Sequence, residues 1–183
     1  MNPSTASVSG HPTLLPGSRA QQLIATLGLA PHPEGGWYRE VFRSTSRVQP
    51  ADERPGRDAL TSIYFLLQAG QFSRWHRVLS DEVWIHLEGA PVALWTCDAA
   101  LQTAPTPTRL GPVDLDGTRP QHTVSAGQWQ AARPIASSAA ADFSLVACTV
   151  GPGFDFADFS FMAPDGDEAW RMGQLGVEFA ALV

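Results

Sequence analysis

The chain contains no lysine. Its twelve cationic side chains are therefore all arginines, and eighteen acidic residues outnumber them to give a formal net charge of −6. The sequence also shows no basic patch. Because a nucleic-acid partner needs clustered cations that neutralise phosphates, the composition argues against nucleic-acid binding.

Long apolar runs are also missing. One of the longest, Ile63 to Leu67, is far shorter than the roughly 20 residues that a membrane-spanning helix needs. No basic segment followed by an apolar one opens the sequence, which gives no sign of a signal peptide. We therefore expect a cytoplasmic protein with no membrane partner.

Cysteine is scarce. Cys97 and Cys148 both lie in apolar, strand-like runs. The sequence has no Cys-x-x-Cys or paired-histidine spacing, so a structural zinc site is not expected. Without an export signal, buried free thiols are a better interpretation than a disulfide or a nucleophile.

Turn-forming residues, by contrast, are abundant, with 16 glycines and 15 prolines among 183 residues. Roughly ten short apolar runs are separated by turns, with no strand–helix–strand rhythm, and this pattern predicts an all-β sandwich or barrel. The length suits one domain, which we place at residues 18–165. Residues 1–17 are predicted to be a disordered tail, and residues 166–183 a C-terminal extension with a short helix near Glu168 to Leu175.

One short helix is predicted near the start, from Ser18 to Leu27. Ser18 can cap its N-terminus, Gln21 completes a capping box, and Gly28 suits the position just past its end. Leu23, Ile24 and Leu27 would form its buried stripe, so we expect the helix to pack on the outside of the barrel.

The stretch from Gly70 to Gly89 predicts a hairpin with chemistry on one face. In its second strand Glu82, Trp84 and His86 share a face, because side chains alternate along a strand. A hairpin that sets His76 beside Glu82 would gather titratable groups inside a concave sheet. Titratable groups gathered in this way are typical of a small-molecule binding site. Trp84 could contact a ligand there or simply pack in the core.

The segment before the first long strand leaves two alternatives open. Prolines and paired glycines exclude regular structure over residues 31–36. This segment is either a tight turn or a loop that closes over a pocket mouth with Glu34 as its carboxylate. His32, between two prolines, is expected to be exposed or structural.

The strand from Trp37 to Ser44 could present either face to the interior. Tyr38 and Glu40 would add polar groups to a cavity, whereas Arg39 and Arg43 would suit an anionic ligand. Near the other end of the chain, Phe154 to Phe161 is predicted to be a final strand.

Five segments, in this order, resemble the type-5 subfamily of the cupin superfamily, a domain of unknown function numbered 985. They are residues 27–40, 61–67, 75–84, 126–132 and 148–159. The resemblance implies a double-stranded β-helix, the cupin jelly-roll barrel, and a homodimer. The apolar Val41 and Phe42 would suit a contact between subunits.

The resemblance also implies a set of metal-ligand positions, which cupins that bind metal fill with three histidines and a glutamate. Here the positions hold His76, Val78, Glu82 and Gln130. A catalytic metal needs three or more good ligands, so no cofactor is expected. If a divalent metal is bound, we expect His76, Glu82 and Gln130 to hold it.

Three functions follow as alternatives. The first is a metal-independent isomerase or epimerase acting on a small polar or anionic metabolite, with Glu82 as base and His76 as acid. The second is a non-catalytic module that binds or senses a small ligand, and the third is a metal-dependent oxygenase. The candidate catalytic residues are His76, Glu82 and His86. The candidate ligand-binding residues are Glu34, Tyr38, Trp84, Gln128 and Gln130.

Overall fold

The computed structural model describes residues 17–135 and 142–183. The predicted disordered tail lies outside these ranges except for Gly17. The helices are α1 (Arg19–Leu27), α2 (Asp167–Leu175) and α3 (Val177–Ala180). The strands are β1 (Ala30–Pro31), β2 (Trp37–Arg43), β3 (Arg47–Val48), β4 (Arg57–Asp58), β5 (Thr61–Gln68), β6 (Ser73–Val78), β7 (Asp81–Gly89), β8 (Val92–Cys97), β9 (Thr106–Leu110), β10 (Gln121–Val124), β11 (Trp129–Pro134), β12 (Phe143–Gly151) and β13 (Phe159–Phe161).

Two antiparallel sheets form the barrel. One has the strand order β1-β2-β5-β12-β7-β10, and the other has the order β13-β6-β11-β8-β9. β3 and β4 form a separate small ribbon. Strands adjacent in space come from distant parts of the chain, as in a jelly roll. The predicted all-β jelly-roll fold with a short N-terminal helix is confirmed.

One end of the barrel interior is filled with apolar side chains contributed by both sheets. Alternation along β5 shows how, because Phe65 and Leu67 point inward into this core while Leu66 points outward toward α1. Leu94 of β8, in the other sheet, and Trp84 of β7, in the same sheet as β5, are also fully buried. The apolar core therefore closes this end of the barrel interior.

Helix α1 forms where its capping residues predict it. The Ser18 hydroxyl accepts a hydrogen bond from the Gln21 backbone N–H at 3.2 Å, and Gly28 ends the helix in the left-handed region with φ 63°. The expected capping box is displaced by one residue, since the Gln21 side chain bonds the Gly17 N–H instead. Leu23 packs with Leu66 on the outer face of the six-stranded sheet.

Helices α2 and α3 cover the outer face of the five-stranded sheet. The Trp75 indole N–H donates to the Phe179 carbonyl at 2.8 Å, and the Trp75 backbone N–H donates to Leu182. Met172 is fully buried in the same cluster. Residues 166–183 thereby bury the outward side of β6, whose other side faces the interior. No helix within residues 17–135 and 142–183 has the length and apolar character to cross a bilayer.

Val41 and Phe42 of β2 are 44% and 50% exposed. The homodimer that they suggested stays a prediction.

Candidate functional site

The barrel is hollow at the end opposite the packed core, with a cavity of about 460 Å³. Along β5 the inward side chains change from core to cavity lining, where Thr61 and Ile63 succeed Phe65. The same change occurs from Trp84 to Glu82 along β7. The described lining residues are His32, Glu34, Tyr38, Glu40, Arg43, Thr61, Ile63, His76, Val78, Glu82, Cys148, Val150, Phe154, Asp155, Phe156 and Phe159.

The structure brings His76 and Glu82 into this cavity. They are 2% and 7% exposed and come from β6 and β7, which are consecutive in the chain but lie in different sheets. The short connection at Leu79 and Ser80 therefore crosses between the two sheets instead of closing a hairpin within one. Val78 shares the inward face with His76, while Trp75 faces the C-terminal helices, as strand alternation predicts.

The tautomer of His76 follows from its contacts. Its Nδ1 lies 2.7 Å from the Arg74 carbonyl oxygen, which can only accept a hydrogen bond, so Nδ1 carries a proton. In the neutral ring the basic nitrogen is then Nε2. That atom lies 3.3 Å from Oε2 of Glu34. The free lone pair of His76 thus faces a carboxyl group within the cavity.

Glu34 reaches this position through the turn of residues 31–36. Gly35 and Gly36 adopt positive φ values of 112° and 68°, and a Cβ on Gly36 would lie 2.6 Å from the Leu66 carbonyl oxygen. Only glycine allows this close approach of the turn to β5. The Glu34 carbonyl accepts a hydrogen bond from the Arg74 N–H at 3.1 Å. The loop therefore closes onto the cavity, which answers one of the questions that the sequence left open.

Burial controls the protonation of this pair. It raises the pKa of Glu34 to about 8, against smaller opposing effects from Ser73 and Arg74, and it lowers the pKa of His76. The 3.3 Å contact alone would suit an ion pair. Because both groups are almost completely buried and both pKa shifts favour uncharged forms, we assign a neutral carboxylic acid beside a neutral imidazole near pH 7.

Glu82 is positioned by a chain of two side-chain hydrogen bonds that runs from Trp84 through Gln130. The Trp84 indole N–H donates to Oε1 of Gln130 at 3.0 Å, and Nε2 of Gln130 donates to Oε2 of Glu82 at 2.6 Å. Since an indole can only donate, it fixes the orientation of the amide. Burial raises the pKa of Glu82, and nearby His76 partly opposes the rise. Trp84 and Gln130 therefore orient Glu82 from outside the cavity lining.

A β-bulge in β2 explains why strand period alone could not orient this strand. The pairing with β5 shifts between Glu40 and Phe42, so Val41 is the extra residue. Tyr38 and Glu40 face the cavity before the bulge, and Arg43 faces it after the bulge. Both of the alternative faces thus contribute a residue to the lining.

Two of the candidate residues lie away from the cavity. His86 keeps the face of Glu82 and Trp84 but lies beyond Trp84, toward the packed end of the barrel, and its Nε2 contacts the Ala90 carbonyl at 3.2 Å. The Gln128 amide oxygen accepts from the Ser125 backbone N–H, so this side chain closes its own turn. The structure thus leaves His86 and Gln128 outside the described cavity lining, within which the sequence had placed them.

Trp84 is likewise not among the lining residues. Its ring is 1% exposed and packs edge-on against Phe65, with 6.0 Å between the ring centroids. Of the two interpretations of Trp84, the structure matches core packing. Its indole N–H still affects the site, because it donates to Gln130, which in turn donates to Glu82.

Several lining residues were missed. The side chain of His32 is only 7% exposed and meets Tyr38 edge-on at 4.4 Å between ring centroids. Its Nδ1 accepts from the Glu34 N–H, and burial lowers its pKa to about 4. The signal was its place two residues before Glu34 in a loop already suspected of covering a pocket.

Cys148 is a buried free thiol, as the sequence predicted, but it also lines the cavity. Burial raises its pKa well above the ordinary value, and the carboxyls of Glu82 and Glu34 add to the rise. A thiol in this state is a poor nucleophile at neutral pH.

The mouth is formed by a segment whose structure differs from the prediction. Phe154 to Phe161 was expected to be one strand, but Phe156–Asp158 forms a 3-10 turn and strand β13 begins only at Phe159. The turn is capped by Asp155, whose Oδ1 accepts from the Ala157 N–H at 2.9 Å. It places phenylalanine rings at the cavity entrance.

The residues at the metal-ligand positions do not fit a metal centre. Val78 offers no donor and Gln130 is engaged by Trp84 and Glu82, so His76 and Glu82 are the two free ligands at these positions, fewer than the three that a catalytic metal needs. Nowhere in the described ranges do three or more His, Cys, Asp or Glu side chains converge in a way that could hold an ion. We derive no step through a metal, and the expectation that no cofactor is needed stays a prediction.

Comparison with known proteins agrees with this architecture. The family model described as Cupin superfamily (DUF985) matches residues 21–162. A hypothetical protein from Leishmania major is 33% identical with a TM-score of 0.77, and the match covers 90% of this chain and 96% of that one. A protein from Shewanella oneidensis is also 33% identical, with a TM-score of 0.73 and coverage of 89% and 94%.

More distant structures share the fold alone. An oxalate decarboxylase from Lactobacillus farciminis is 15% identical with a TM-score of 0.51, over 75% of this chain and 34% of that one. No curated protein matches the chain.

Proposed function

The chain belongs to the type-5 cupin family (DUF985), and we propose that it is a metal-independent enzyme that moves a proton on a small polar metabolite held in the barrel. The proposal rests on a cavity of about 460 Å³ that is lined by the imidazole of His76 and by the buried carboxyl groups of Glu34 and Glu82. Its volume suits a metabolite-sized ligand.

The protonation states suit proton transfer between neutral partners. The sequence suggested Glu82 as base and His76 as acid. Burial favours the reverse at neutral pH, because it lowers the pKa of His76 and raises that of Glu82. Neutral His76 can then accept a proton at Nε2, and the raised pKa of Glu82 favours its protonated form as the proton donor.

A balanced step follows for a substrate with a carbonyl group. The C–H bond next to the carbonyl breaks as its proton passes to Nε2 of His76. The electron pair moves to the carbonyl oxygen, which takes the proton of Glu82 to give an enol. Return of a proton to the opposite face, or to the neighbouring carbon, completes an epimerisation or isomerisation. Glu34 lies 3.3 Å from Nε2, and its ionised form would stabilise the imidazolium that forms.

The experiment is deuterium uptake. Purified protein is incubated in heavy water with pools of small oxo and hydroxy metabolites, and mass spectrometry identifies any compound that gains deuterium at carbon. We expect one compound class to exchange with the wild-type protein, and exchange to fall by about a hundredfold or more in Glu82→Gln. Glu53→Gln, at an exposed position on a loop, is the matched control and should retain full activity.

A binding module without turnover is the second candidate. It is favoured by the partners that Glu82 and His76 already have within the protein, Gln130 and the Arg74 carbonyl. A metabolite that raises the melting temperature yet returns from heavy water without deuterium would support this candidate and remove the enzyme proposal.

A further inference from the structure

We propose that the cavity takes a small organic cation, an amine or quaternary ammonium compound, whose charge sits between phenylalanine rings at the mouth and carboxyl groups inside. This inference rests on the proposed function for its location and deepens it by naming the ligand class of the same cavity. It reverses the expectation of an anionic ligand that the arginines of β2 suggested.

Those arginines are not available to an anion. Arg39 is exposed, and its guanidinium donates to the Leu27 carbonyl at 2.9 Å. Arg43 is the only arginine among the described lining residues, and its guanidinium is hydrogen-bonded to two carboxylates. Its Nε and one terminal nitrogen bond Glu40 at 2.9 and 2.6 Å, and the other bonds Asp58 at 2.8 Å. Asp58 also bonds Arg47 at 2.7 Å, so this cluster of two acids and two arginines is balanced in charge and leaves Arg43 no free positive charge for an anion.

Within the described ranges, no arginine is bonded to the other acidic groups of the lining. Glu34 and Glu82 are 6% and 7% exposed inside the cavity, and their polar neighbours are imidazole and amide groups. Asp155 is exposed at the mouth, and within the described ranges its carboxylate forms no salt bridge. The wall therefore offers negative or potentially negative groups from the rim to the interior.

An aromatic wall runs alongside these acids. The rings of Phe154 and Phe156 lie 5.0 Å apart between centroids, and Phe159 lies 5.9 and 6.3 Å from them. Phe159 in turn stacks on the His76 ring at 5.3 Å with an interplanar angle of 21°. Phe156 is 58% exposed. Aromatic faces attract organic cations, and aromatic rings combined with carboxylates are a common way to bind a quaternary ammonium group.

Binding of a cation in the cavity should release the proton of Glu34. The polar and titratable groups that face Glu34 are His32, His76, Ser73, Arg74 and Glu82. The Arg74 guanidinium lies outside the lining, over the Phe161 ring at 4.2 Å. An entering cation favours the ionised form of Glu34, so cation affinity should increase as pH rises toward the pKa of about 8 that burial gives this group.

The test uses three probes of nearly equal shape: choline, its neutral carbon isostere dimethylbutanol, and the anion dimethylbutanoate. Isothermal titration calorimetry near neutral pH should show choline binding at least about tenfold more tightly than the neutral isostere, and the anion weakest of the three. The observed heat should depend on the ionisation enthalpy of the buffer, because protons are released.

Two variants test the location. Phe156→Leu and Asp155→Asn change exposed residues at the mouth, so the barrel should remain folded, and each should weaken choline binding several-fold. Asp165→Asn makes the same charge change at an exposed position before α2 and should leave binding unchanged.

Equal binding of choline and its neutral isostere, tightest binding by the anion, or no binding of any probe would overturn the cation proposal. The measurement needs no turnover. A chain that prefers choline but shows no deuterium exchange would retain this inference and lose the enzymatic one, and exchange without cation preference would do the opposite.

Discussion

Asp158 and Glu34 are buried to similar degrees, at 4% and 6% exposure, yet their surroundings are opposite. Asp158 receives two hydrogen bonds from Arg57, at 2.9 and 2.7 Å, and one from Arg54 at 2.8 Å. These bonds hold the pKa of Asp158 below its usual value. Glu34 has imidazoles for neighbours, and burial raises its pKa to about 8.

The difference separates a structural acid from a reactive one. A buried carboxylate bonded to guanidinium groups stays charged and connects chain segments, here the 3-10 turn of residues 156–158 to β4 and the loop that precedes it. A buried carboxyl without such a partner keeps its proton to higher pH, which is the state that proton-transfer chemistry uses. Four substitutions test this contrast.

Breaking the structural site should have the largest effect. Asp158→Asn leaves Arg57 buried without its counter-charge, and we expect the free energy of unfolding to fall by about 3 kcal/mol, the lower end for a broken buried pair because Arg54 is partly exposed. Urea unfolding measures it. Asp155→Asn, three residues earlier and exposed, is the control. A loss for Asp158→Asn no larger than that of the control would mean that the network is not structural.

Trp84→Phe tests the chain of hydrogen bonds that positions Glu82. The amide oxygen of Gln130 loses its donor, and we expect a loss of about 1–3 kcal/mol in unfolding free energy together with a further shift in the pKa of Glu82 as the amide becomes free to turn. Thermal unfolding gives the first quantity, and the pH profile of ligand binding or exchange gives the second. An unchanged pH profile would remove the positioning role and leave Trp84 as a packing residue only.

Glu34→Gln should act through pH. A carboxyl group whose pKa is raised from 4.5 to about 8 in the folded state contributes stability at low pH that is lost as pH rises from about 5 to 8. The wild type should therefore lose up to about 1.4 kcal/mol per pH unit more than the variant across that window. Denaturation at a series of pH values tests this, and parallel curves would contradict it. Asp158 has the opposite sign, since its contribution is lost on acidification below its ordinary pKa of 3.8.

His86→Gln should have the smallest effect. Its contact with the Ala90 carbonyl is remote from the cavity, so we expect a loss of about 0.5–1.5 kcal/mol in stability and no change in ligand binding or deuterium exchange. Loss of either activity in a folded His86→Gln protein would restore His86 to the site.

The sequence predicted the fold well because its signals are local and repeated. Strand alternation placed His76 inward and Trp75 outward, and the capping residues located α1. It was less successful wherever a bulge interrupts the alternation. One extra residue at Val41 brought Arg43 to the face of Tyr38. His86 has a different cause, because it keeps the face of Glu82 but lies beyond Trp84, toward the packed end of the barrel.

The missed residues share another cause, since they reach the cavity through tertiary contacts. His32 lies in an irregular turn whose path depends on contact with β5, and no periodicity describes such a segment. Phe154, Phe156 and Phe159 are grouped by a 3-10 turn that resembles a strand in composition. That an acid lies without a bonded cation is likewise visible only once all of its neighbours are known.

The most direct test of the account is a carbon NMR titration of the side-chain carboxyl groups in the wild-type protein. We predict that Glu34 titrates near pH 8, that Glu82 titrates above its ordinary value, and that Asp158 titrates below its own. If Glu34 and Glu82 instead titrate at about pH 4, as surface carboxyl groups do, neither holds a proton at neutral pH, and the proposed proton-transfer site is contradicted.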